Sequence, residues 1–324
     1  MLPSIFLFAV GLVLLIKGGD WFVDSATAIA KRFNLPDIVV GATVVSIGTT
    51  LPEVMVSTTG ALLGSGAMAY GNAIGSIICN TALIAAISIV CNPGPVNTKS
   101  MKTPSIFFFG AAAMYCLAAY GLGAFPRWLG FVMLTVFVCY MILTVRNGMK
   151  NPDAAHEETA SESKQRSLLM EIVMLVVGAG VIAIGADLLV EHGQVIAIGL
   201  GVPETVVALL FVALGTSLPE LVTTITSLRS GHASLGVGNV IGANVFNLVL
   251  VSGVAVSLAP FPVPMENELL NTGLNMSLVL DIPVMLGVMA LMIFPTLASR
   301  KLSRWQGIVL MCIYAAFCVC QFTL

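Results

Sequence analysis

Ten apolar runs, each close to the length needed to cross a lipid bilayer, make up most of this chain. A helix needs about 20 mainly apolar residues to span the hydrocarbon core. Only 9% of the residues are charged, against about 25% in soluble domains, and the net charge of −2 gives no footprint for nucleic acid. The sequence therefore predicts an all-α membrane protein. Its predicted spans are residues 3–30, 36–63, 69–91, 104–123, 128–146, 168–190, 203–228, 234–258, 278–297 and 305–323.

The second half of the chain repeats the first at a constant offset of 167 residues. The stretch GTTLPE, which ends at Glu53, returns as GTSLPE, which ends at Glu220. Glycine, proline and asparagine positions stay in register across three spans without a gap. Chance similarity between apolar runs does not keep such residues in register, so we interpret the chain as an internal duplication.

Each repeat holds five predicted spans, and an odd number makes the second repeat enter the membrane from the opposite side. With the N-terminus outside, 12 of the 14 basic residues face the cytoplasm, the exceptions being Lys17 and Arg127. We therefore expect ten transmembrane helices as two inverted five-helix repeats, with both termini extracytoplasmic, in the plasma (inner) membrane. The predicted parts are 1–147 for the first repeat, with an α-repeat at about 36–91, 148–167 for a cytoplasmic linker, and 168–324 for the second repeat, with an α-repeat at about 203–258.

A proline lies deep in the second predicted span and again in the seventh. Pro52 has no N–H, so the carbonyl of Gly48 loses its helical hydrogen-bond donor, and the same holds for Pro219 and Gly215. Such a bare carbonyl cannot face lipid, so it faces protein or a watery cavity. A structural kink would be the commoner explanation if only one such proline were present.

The glutamate that follows each proline argues for more than a kink. A carboxylate at mid-bilayer costs from about 3 to more than 10 kcal/mol. Helical spacing places hydroxyl-bearing residues three and four positions before each glutamate, on the same helix face. Oxygen sets of this kind suit hard cations such as Ca²⁺ or Na⁺, and the thiol and imidazole ligands of a zinc site are missing. The residues concerned are Glu53 with Thr49 and Thr50, and Glu220 with Thr216 and Ser217.

Polar residues recur every four positions in the span after the first motif, and the span after the second keeps this stripe with alanine at its middle position. Interhelical hydrogen bonding, worth about 1 kcal/mol per residue, is the alternative to a role in ion binding. That alternative stays open for Asn72 and Asn239, which lie near the starts of their spans, whereas we predict coordination by Asn80 and Asn247. The two stripes are Asn72, Ser76 and Asn80 in the third span and Asn239, Ala243 and Asn247 in the eighth.

The segments GATVVSIGTTLPE…GNAIGSIICN and ALLFVALGTSLPE…GNVIGANVFN resemble the two α-repeats of the cation/calcium exchanger superfamily, and most of all its prokaryotic sodium/calcium exchangers. The resemblance covers about 11–91 and 178–258. It implies a central site between the second, third, seventh and eighth helices, across which the long first and sixth helices slide. The implied ligands are Glu53, Glu220, Thr49 and Thr216 for Ca²⁺, and Thr50, Ser217, Ser76, Asn80, Asn247 and the backbone of Ser46 and Ala213 for Na⁺ or the site lining.

Two positions depart from the pattern of that family. The second repeat reads Gly242-Ala243-Asn244 where a serine hydroxyl is expected, which leaves the number of sodium sites open. Asn247 is an amide where potassium-dependent members typically carry a carboxylate, which argues against potassium dependence.

The predicted function is secondary transport rather than enzyme catalysis, because the chain has no G-x-S-x-G or H-E-x-x-H motif and no cofactor motif. Two ionised glutamates carry a charge of −2, which one Ca²⁺ or two Na⁺ neutralise, whereas moving the uncompensated pair is costly. We expect antiport of Na⁺ and Ca²⁺ by alternating access, with no cofactor and no obligatory protein partner. Calcium/proton antiport is the open alternative, because buried carboxylates can carry protons, and a cation channel is less favoured.

Overall fold

The computed structural model describes residues 2–33, 35–150, 167–199, 215–264, 275 and 277–323. Nine helices in this part of the chain are long and apolar enough to cross a membrane. A further helix, Leu218–Arg229, covers the second half of the seventh predicted span, whose first half lies outside the described residues. The chain is thus an all-helical, multi-pass membrane protein.

The helices in chain order are α1 (Leu2–Arg32), α2 (Asp37–Leu62), α3 (Gly66–Cys91), α4 (Thr98–Leu122), α5 (Arg127–Met149), α6 (Leu168–Gly199), α7 (Leu218–Arg229), α8 (Ala233–Leu258), α9 (Ser277–Ser299) and α10 (Arg304–Thr323). The strands are β1 (Gly94–Pro95), β2 (Ala124–Phe125), β3 (Phe261–Pro262) and β4 (Lys301–Leu302).

Burial divides the helices into a core and a periphery. Helices α8, α3 and α2 are the most buried, and α1, α6 and α10 the least. The peripheral helices expose large apolar side chains such as Phe6, Leu12 and Ile16 of α1. A lipid solvent accounts for this arrangement, because apolar side chains need not be withdrawn from hydrocarbon whereas polar ones must be.

The long helices α1 and α6 pack against each other through glycines. A methyl group on Gly18 would lie 3.1 Å from the carbonyl oxygen of Gly178, and one on Gly185 would lie 2.9 Å from the carbonyl oxygen of Gly11. Small residues let transmembrane backbones approach this closely. The offset of 167 relates Gly11 to Gly178 and Gly18 to Gly185, so each end of the contact repeats the other.

Two short antiparallel sheets join loops of the first repeat to loops of the second. Strand β1 pairs with β4, and β2 pairs with β3. The offset of 167 carries β1 onto β3, so each sheet contains one strand from this repeat-related pair. In each sheet, one further backbone hydrogen bond follows the paired strands. The N–H of Val96 donates to the carbonyl of Arg300 over 3.0 Å, and the N–H of Val263 donates to the carbonyl of Gly123 over 3.0 Å. Both acceptor residues have the left-handed backbone conformation, with φ of 55° and 63°.

Candidate ion-binding site

The first repeated motif lies on α2, which stays helical through it. Pro52 is inside the helical segment Ser46–Leu62, so the chain tolerates the missing N–H without unwinding. Thr49, Thr50 and Glu53 are all buried on the side of α2 that faces the protein. Burial on the protein side is what the bare carbonyl before the proline requires.

The second motif has a different backbone. Helix α7 begins at Leu218, directly after the turn residue Ser217, and Pro219 falls in the first helical turn. Proline is well tolerated there, because the first N–H groups of a helix have no internal acceptor. The hydroxyl of Ser217 makes no capping bond to this helix. Gly215 and Thr216 before this turn are again helical. The first motif therefore lies within a continuous helix, whereas a turn at Ser217 interrupts the second.

The glutamates of the two motifs are fully buried neighbours. Glu53 and Glu220 have no solvent exposure, and their carboxylates interact electrostatically with each other. The carboxylate of Glu220 also lies within reach of the hydroxyls of Thr49 and Thr50, which belong to the other repeat. One acid from each half thus meets oxygen atoms from both halves at a shared position.

Most predicted ligands have buried polar atoms without a hydrogen-bond partner among the described residues. Leaving such an atom unpaired costs about 1–3 kcal/mol, and a bound cation would give the oxygen atoms among them a partner. The described residues contain no group of three or more His, Cys, Asp or Glu side chains that could hold a metal ion, which leaves two carboxylates completed by neutral oxygens. That composition fits Ca²⁺ or Na⁺. The atoms are both carboxylate oxygens of Glu53 and Glu220, both amide atoms of Asn80 and Asn247, Thr50 Oγ1 and Ser217 Oγ.

Asn80 and Asn247 each begin a π-helical turn. These turns, Asn80–Ala85 in α3 and Asn247–Val251 in α8, start at repeat-related positions. A π turn shifts the backbone hydrogen bonds by one residue and is frequent at functional sites. Neither amide finds a partner within its own helix, and so both are available to the site. The sequence carries no signal for these turns beyond the asparagines themselves.

A third π turn, Gly41–Val45, precedes the motif in α2, and its carbonyls are satisfied by side chains. The hydroxyl of Ser46 donates to the carbonyl of Gly41 over 2.8 Å, and that of Tyr140 to the carbonyl of Ala42 over 2.7 Å. The hydroxyl of Ser46 is thus occupied by the protein, which is compatible with the backbone role that the resemblance implies for this residue.

The repeat-related asparagines near the helix starts have different partners. Asn72 donates from Nδ2 to the carbonyl of Glu53 over 3.2 Å and to the hydroxyl of Ser57 over 2.8 Å. These two hydrogen bonds link α3 to α2. The amide oxygen of Asn239 instead accepts from the hydroxyl of Thr49 over 3.2 Å and lies 3.2 Å from the hydroxyl oxygen of Ser46. Both asparagines make the interhelical bonds that the alternative reading allowed, but Asn239 reaches a predicted calcium ligand.

Glycines bring α8 against α2 where Asn239 makes these bonds. A methyl group on Gly41 would lie 2.1 Å from the carbonyl oxygen of Leu235, and one on Gly238 would lie 2.2 Å from that of Ile38. Both distances are below any real contact, so only glycine fits. The backbones touch, which places the oxygens of α2 and α8 on either side of one narrow space.

The remaining predicted ligands are placed less completely. Ser76 is buried on α3, one turn before Asn80, and Thr216 is partly exposed just before the turn at Ser217. Ala243, the repeat partner of Ser76, is fully buried and brings no polar side-chain atom. Ala213 lies outside the described residues.

Comparison with known proteins agrees with this geometry. The family model described as sodium/calcium exchanger protein matches residues 3–146 and 170–323. An uncharacterized membrane protein of Methanocaldococcus jannaschii is 31% identical over 307 residues, covering 95% of this chain and 94% of its own length. The sodium/calcium exchanger MaX1 of Methanosarcina acetivorans is 29% identical over 347 residues, covering 96% of both chains.

A solved structure is similar over the whole chain. It is that of the sodium-calcium exchanger NCX_Mj soaked with Na⁺ and Ca²⁺, with a TM-score of 0.78 and 28% identity, covering 100% of this chain and 99% of that one. These relatives are transporters rather than enzymes, and the ions are their substrates. The family match, which covers nearly all of both halves, identifies this chain as a member of the sodium/calcium exchanger family.

Proposed function

We propose that this protein exchanges Na⁺ for Ca²⁺ across the plasma membrane by alternating access. The observation that carries the proposal is the pair Glu53 and Glu220: two buried carboxylates, one from each repeat, with all four oxygens unpaired among the described residues. The relatives named for this exchange support the choice of ions.

The charge of this pair explains why exchange would be obligatory. With both carboxylates ionised the site carries −2, and one Ca²⁺ or two Na⁺ cancel that charge. Carrying the uncompensated pair through a low-dielectric interior would cost several kcal/mol per charge. A loaded site can therefore change sides, whereas an unloaded one is held back, and the sodium gradient drives Ca²⁺ the other way.

The proposed ligands divide by the ion that they bind. Ca²⁺ is held centrally, between the two carboxylates and the threonines one helical turn before them. Na⁺ takes flanking positions on the hydroxyls and amides of both repeats. The assignment is Glu53, Glu220, Thr49 and Thr216 for Ca²⁺, and Thr50, Ser217, Ser76, Asn80, Asn247, Ser46 and Ala213 for Na⁺ or the site lining.

The proposed orientation follows the basic loops. The linker 148–167 lies in the cytoplasm, both termini lie outside, and the halves 1–147 and 168–324 are the two inverted repeats. Cytosolic Ca²⁺ then approaches the end of the bundle formed by the start of α2, the end of α3 and the start of α8.

One observation favours proton coupling as a second candidate. Two neighbouring buried carboxylates can share a proton as well as a cation, because like charges at short range disfavour double ionisation. A Ca²⁺/H⁺ antiporter would use the same two glutamates and leave the flanking amides unused.

Transport into proteoliposomes separates the two candidates. The purified protein is reconstituted with Na⁺ inside, and uptake of radioactive Ca²⁺ is followed against a sodium gradient at equal pH. A second set of vesicles has a pH gradient and no Na⁺. Uptake that requires internal Na⁺ supports the proposal, uptake driven by the pH gradient alone supports proton antiport, and uptake that needs neither gradient indicates a channel.

A further inference from the structure

A cavity of about 380 Å³ lies at one end of the bundle, away from the buried carboxylate pair. Its walls come from the start of α2, the end of α3 with the loop that follows, and the start of α8. By the distribution of basic residues this is the cytosolic end. These three helices are also the ones that carry the proposed ion ligands toward the membrane centre.

The lining of the cavity is chemically suited to a hard cation. Asp37 supplies a carboxylate, Ser88 and Ser234 supply hydroxyls, and Asn92 supplies an amide oxygen. No lysine or arginine is among the described residues that line it. Asp37 is the one charged side chain among these described lining residues, although the loops on this face are basic.

Asp37 is held at the cavity by a defined contact. Nδ1 of His232 donates a hydrogen bond to Oδ2 of Asp37 over 2.6 Å. The pair joins the first residue of α2 to the loop before α8, so it links the two walls. Both side chains keep some solvent exposure, 18% for Asp37 and 11% for His232, which leaves the carboxylate open to an arriving ion.

The cavity approaches the ion site but stops short of it. Ser88 lies eight residues along α3 from Asn80, or about 12 Å at 1.5 Å per helical residue. The remaining walls include Ile38, Ile89 and Val237, which are buried. Because Glu53 has no exposure, packed side chains separate the cavity from the site.

The duplication gives this acid a counterpart. The offset of 167 carries Asp37 onto Glu204, and each follows the proline that begins its repeated span. Glu204 lies outside the described residues. Because the repeats are inverted, the sequence predicts the two acids at opposite faces of the membrane.

We propose that this cavity is the cytosolic vestibule of the exchanger, and that Asp37 is the carboxylate that Ca²⁺ contacts first on entering from the cytosol. The inference rests on the proposed function and adds a second, superficial cation site to the central one. A negative cleft with low-dielectric walls raises the local concentration of cations and their rate of entry, by about tenfold or more. Replacing Asp37 should then weaken Ca²⁺ entry from the cytosolic face of the membrane only.

Sided transport measurements with Asp37→Asn test this. In inside-out vesicles the medium contacts the cytosolic face of the protein, and in right-side-out vesicles it contacts the extracytoplasmic face. Cleavage of the linker by added protease identifies the orientation of the protein in each preparation. We expect D37N to raise the KM for Ca²⁺ at the cytosolic face about threefold to tenfold, with the KM at the other face unchanged. Asp37→Glu, which keeps the charge, should stay close to wild type on both faces.

The comparison at the opposite face is made within the same protein, so misfolding cannot imitate the expected result. Asp281→Asn is the matched control, because Asp281 is half-buried in α9 and does not line the cavity. Equal KM values for wild type and D37N at the cytosolic face would contradict the proposed vestibule. An equal rise in the KM of D37N at both faces would contradict it as well. If wild-type vesicles take up no Ca²⁺ under either a sodium or a proton gradient, the proposed function itself is wrong.

Discussion

The hydroxyl of Thr49 donates a hydrogen bond to the amide oxygen of Asn239 across 3.2 Å, and so joins the proposed calcium-binding motif of one repeat to the polar stripe of the other. Thr49 uses its proton in this bond, which turns its oxygen lone pairs away from Asn239 and makes them available to a cation. Asn239 is fully buried, and its Nδ2 has no partner among the described residues. We therefore predict that Asn239 positions Thr49.

Replacing Asn239 by alanine should weaken Ca²⁺ binding. The lost bond is worth about 1 kcal/mol, which corresponds to a rise of about fivefold in the KM for Ca²⁺. Asn72→Ala is the repeat-related control: Asn72 bonds to Ser57 and to the backbone of Glu53, so its loss should lower the thermal stability but leave this KM unchanged. Equal KM values for N239A and wild type would contradict the positioning role.

Glu53→Gln and Glu220→Gln should each abolish Ca²⁺ uptake. Each substitution keeps the shape of the side chain and removes half of the negative charge, so one Ca²⁺ is no longer neutralised. Calcium binding to the purified variants by isothermal titration calorimetry, together with their thermal unfolding, separates lost binding from lost folding. A folded variant that still transports Ca²⁺ would remove that glutamate from the site.

Ala243→Ser should strengthen the dependence on sodium. The substitution restores the hydroxyl that Ser76 supplies at the repeat-related position, and so adds a candidate Na⁺ ligand beside Asn247. We expect a lower half-saturating Na⁺ concentration in Na⁺-driven Ca²⁺ transport. Ser76→Ala is the converse variant and should raise that concentration; if neither variant moves it, these positions do not bind sodium.

Gly238→Ala should destabilise the protein, whereas its repeat partner Gly71→Ala should not. A methyl group on Gly238 would meet the backbone carbonyl of Ile38 at 2.2 Å, and overpacking of this kind typically costs about 1–3 kcal/mol. No described atom lies within 4 Å of a methyl group on Gly71. Thermal unfolding in detergent gives the comparison, and an equal loss of stability in both variants would contradict the close contact of α2 with α8.

Cysteine labelling tests the orientation in the membrane. Cys91 is exposed at the end of α3, and Leu63 is exposed just after α2, at the opposite face. In a background without other cysteines, a membrane-impermeant maleimide should label Cys91 only in inside-out vesicles and L63C only in right-side-out vesicles. The reverse pattern would invert the proposed topology.

The sequence predicts the helical class and the inverted repeats, and it singles out the two buried glutamates of the proposed site. The length and apolarity of each run predict where the membrane spans lie. A charged side chain inside a span is energetically costly and usually functional, so Glu53 and Glu220 are identified as candidate site residues. Both motifs lie at the same position within their repeats, and this agreement supports the prediction in a way that a single motif could not.

Other features depend on tertiary contacts that no local pattern contains. Pro52 sits inside a continuous helix whereas Pro219 lies in the first turn of α7, although the two motifs are nearly identical in sequence. The π turns at Asn80 and Asn247 and the two-residue strands are likewise too short to leave a periodic signal. From the sequence alone, Asn239 is interpreted as a helix-packing residue. The hydrogen-bond partner of its amide oxygen is known only from the structure.

The glycine contact between α1 and α6 has a consequence for the origin of the protein. Gly11 meets Gly185 and Gly18 meets Gly178, so exchanging the two halves maps the contact onto itself. That is the defining property of an isologous interface, the kind through which identical subunits form a twofold dimer. A shorter ancestor with five helices, inserted in both orientations, would have paired through this surface. In a single chain the two copies need not stay identical, and Ser76 and Ala243 already differ at repeat-related positions.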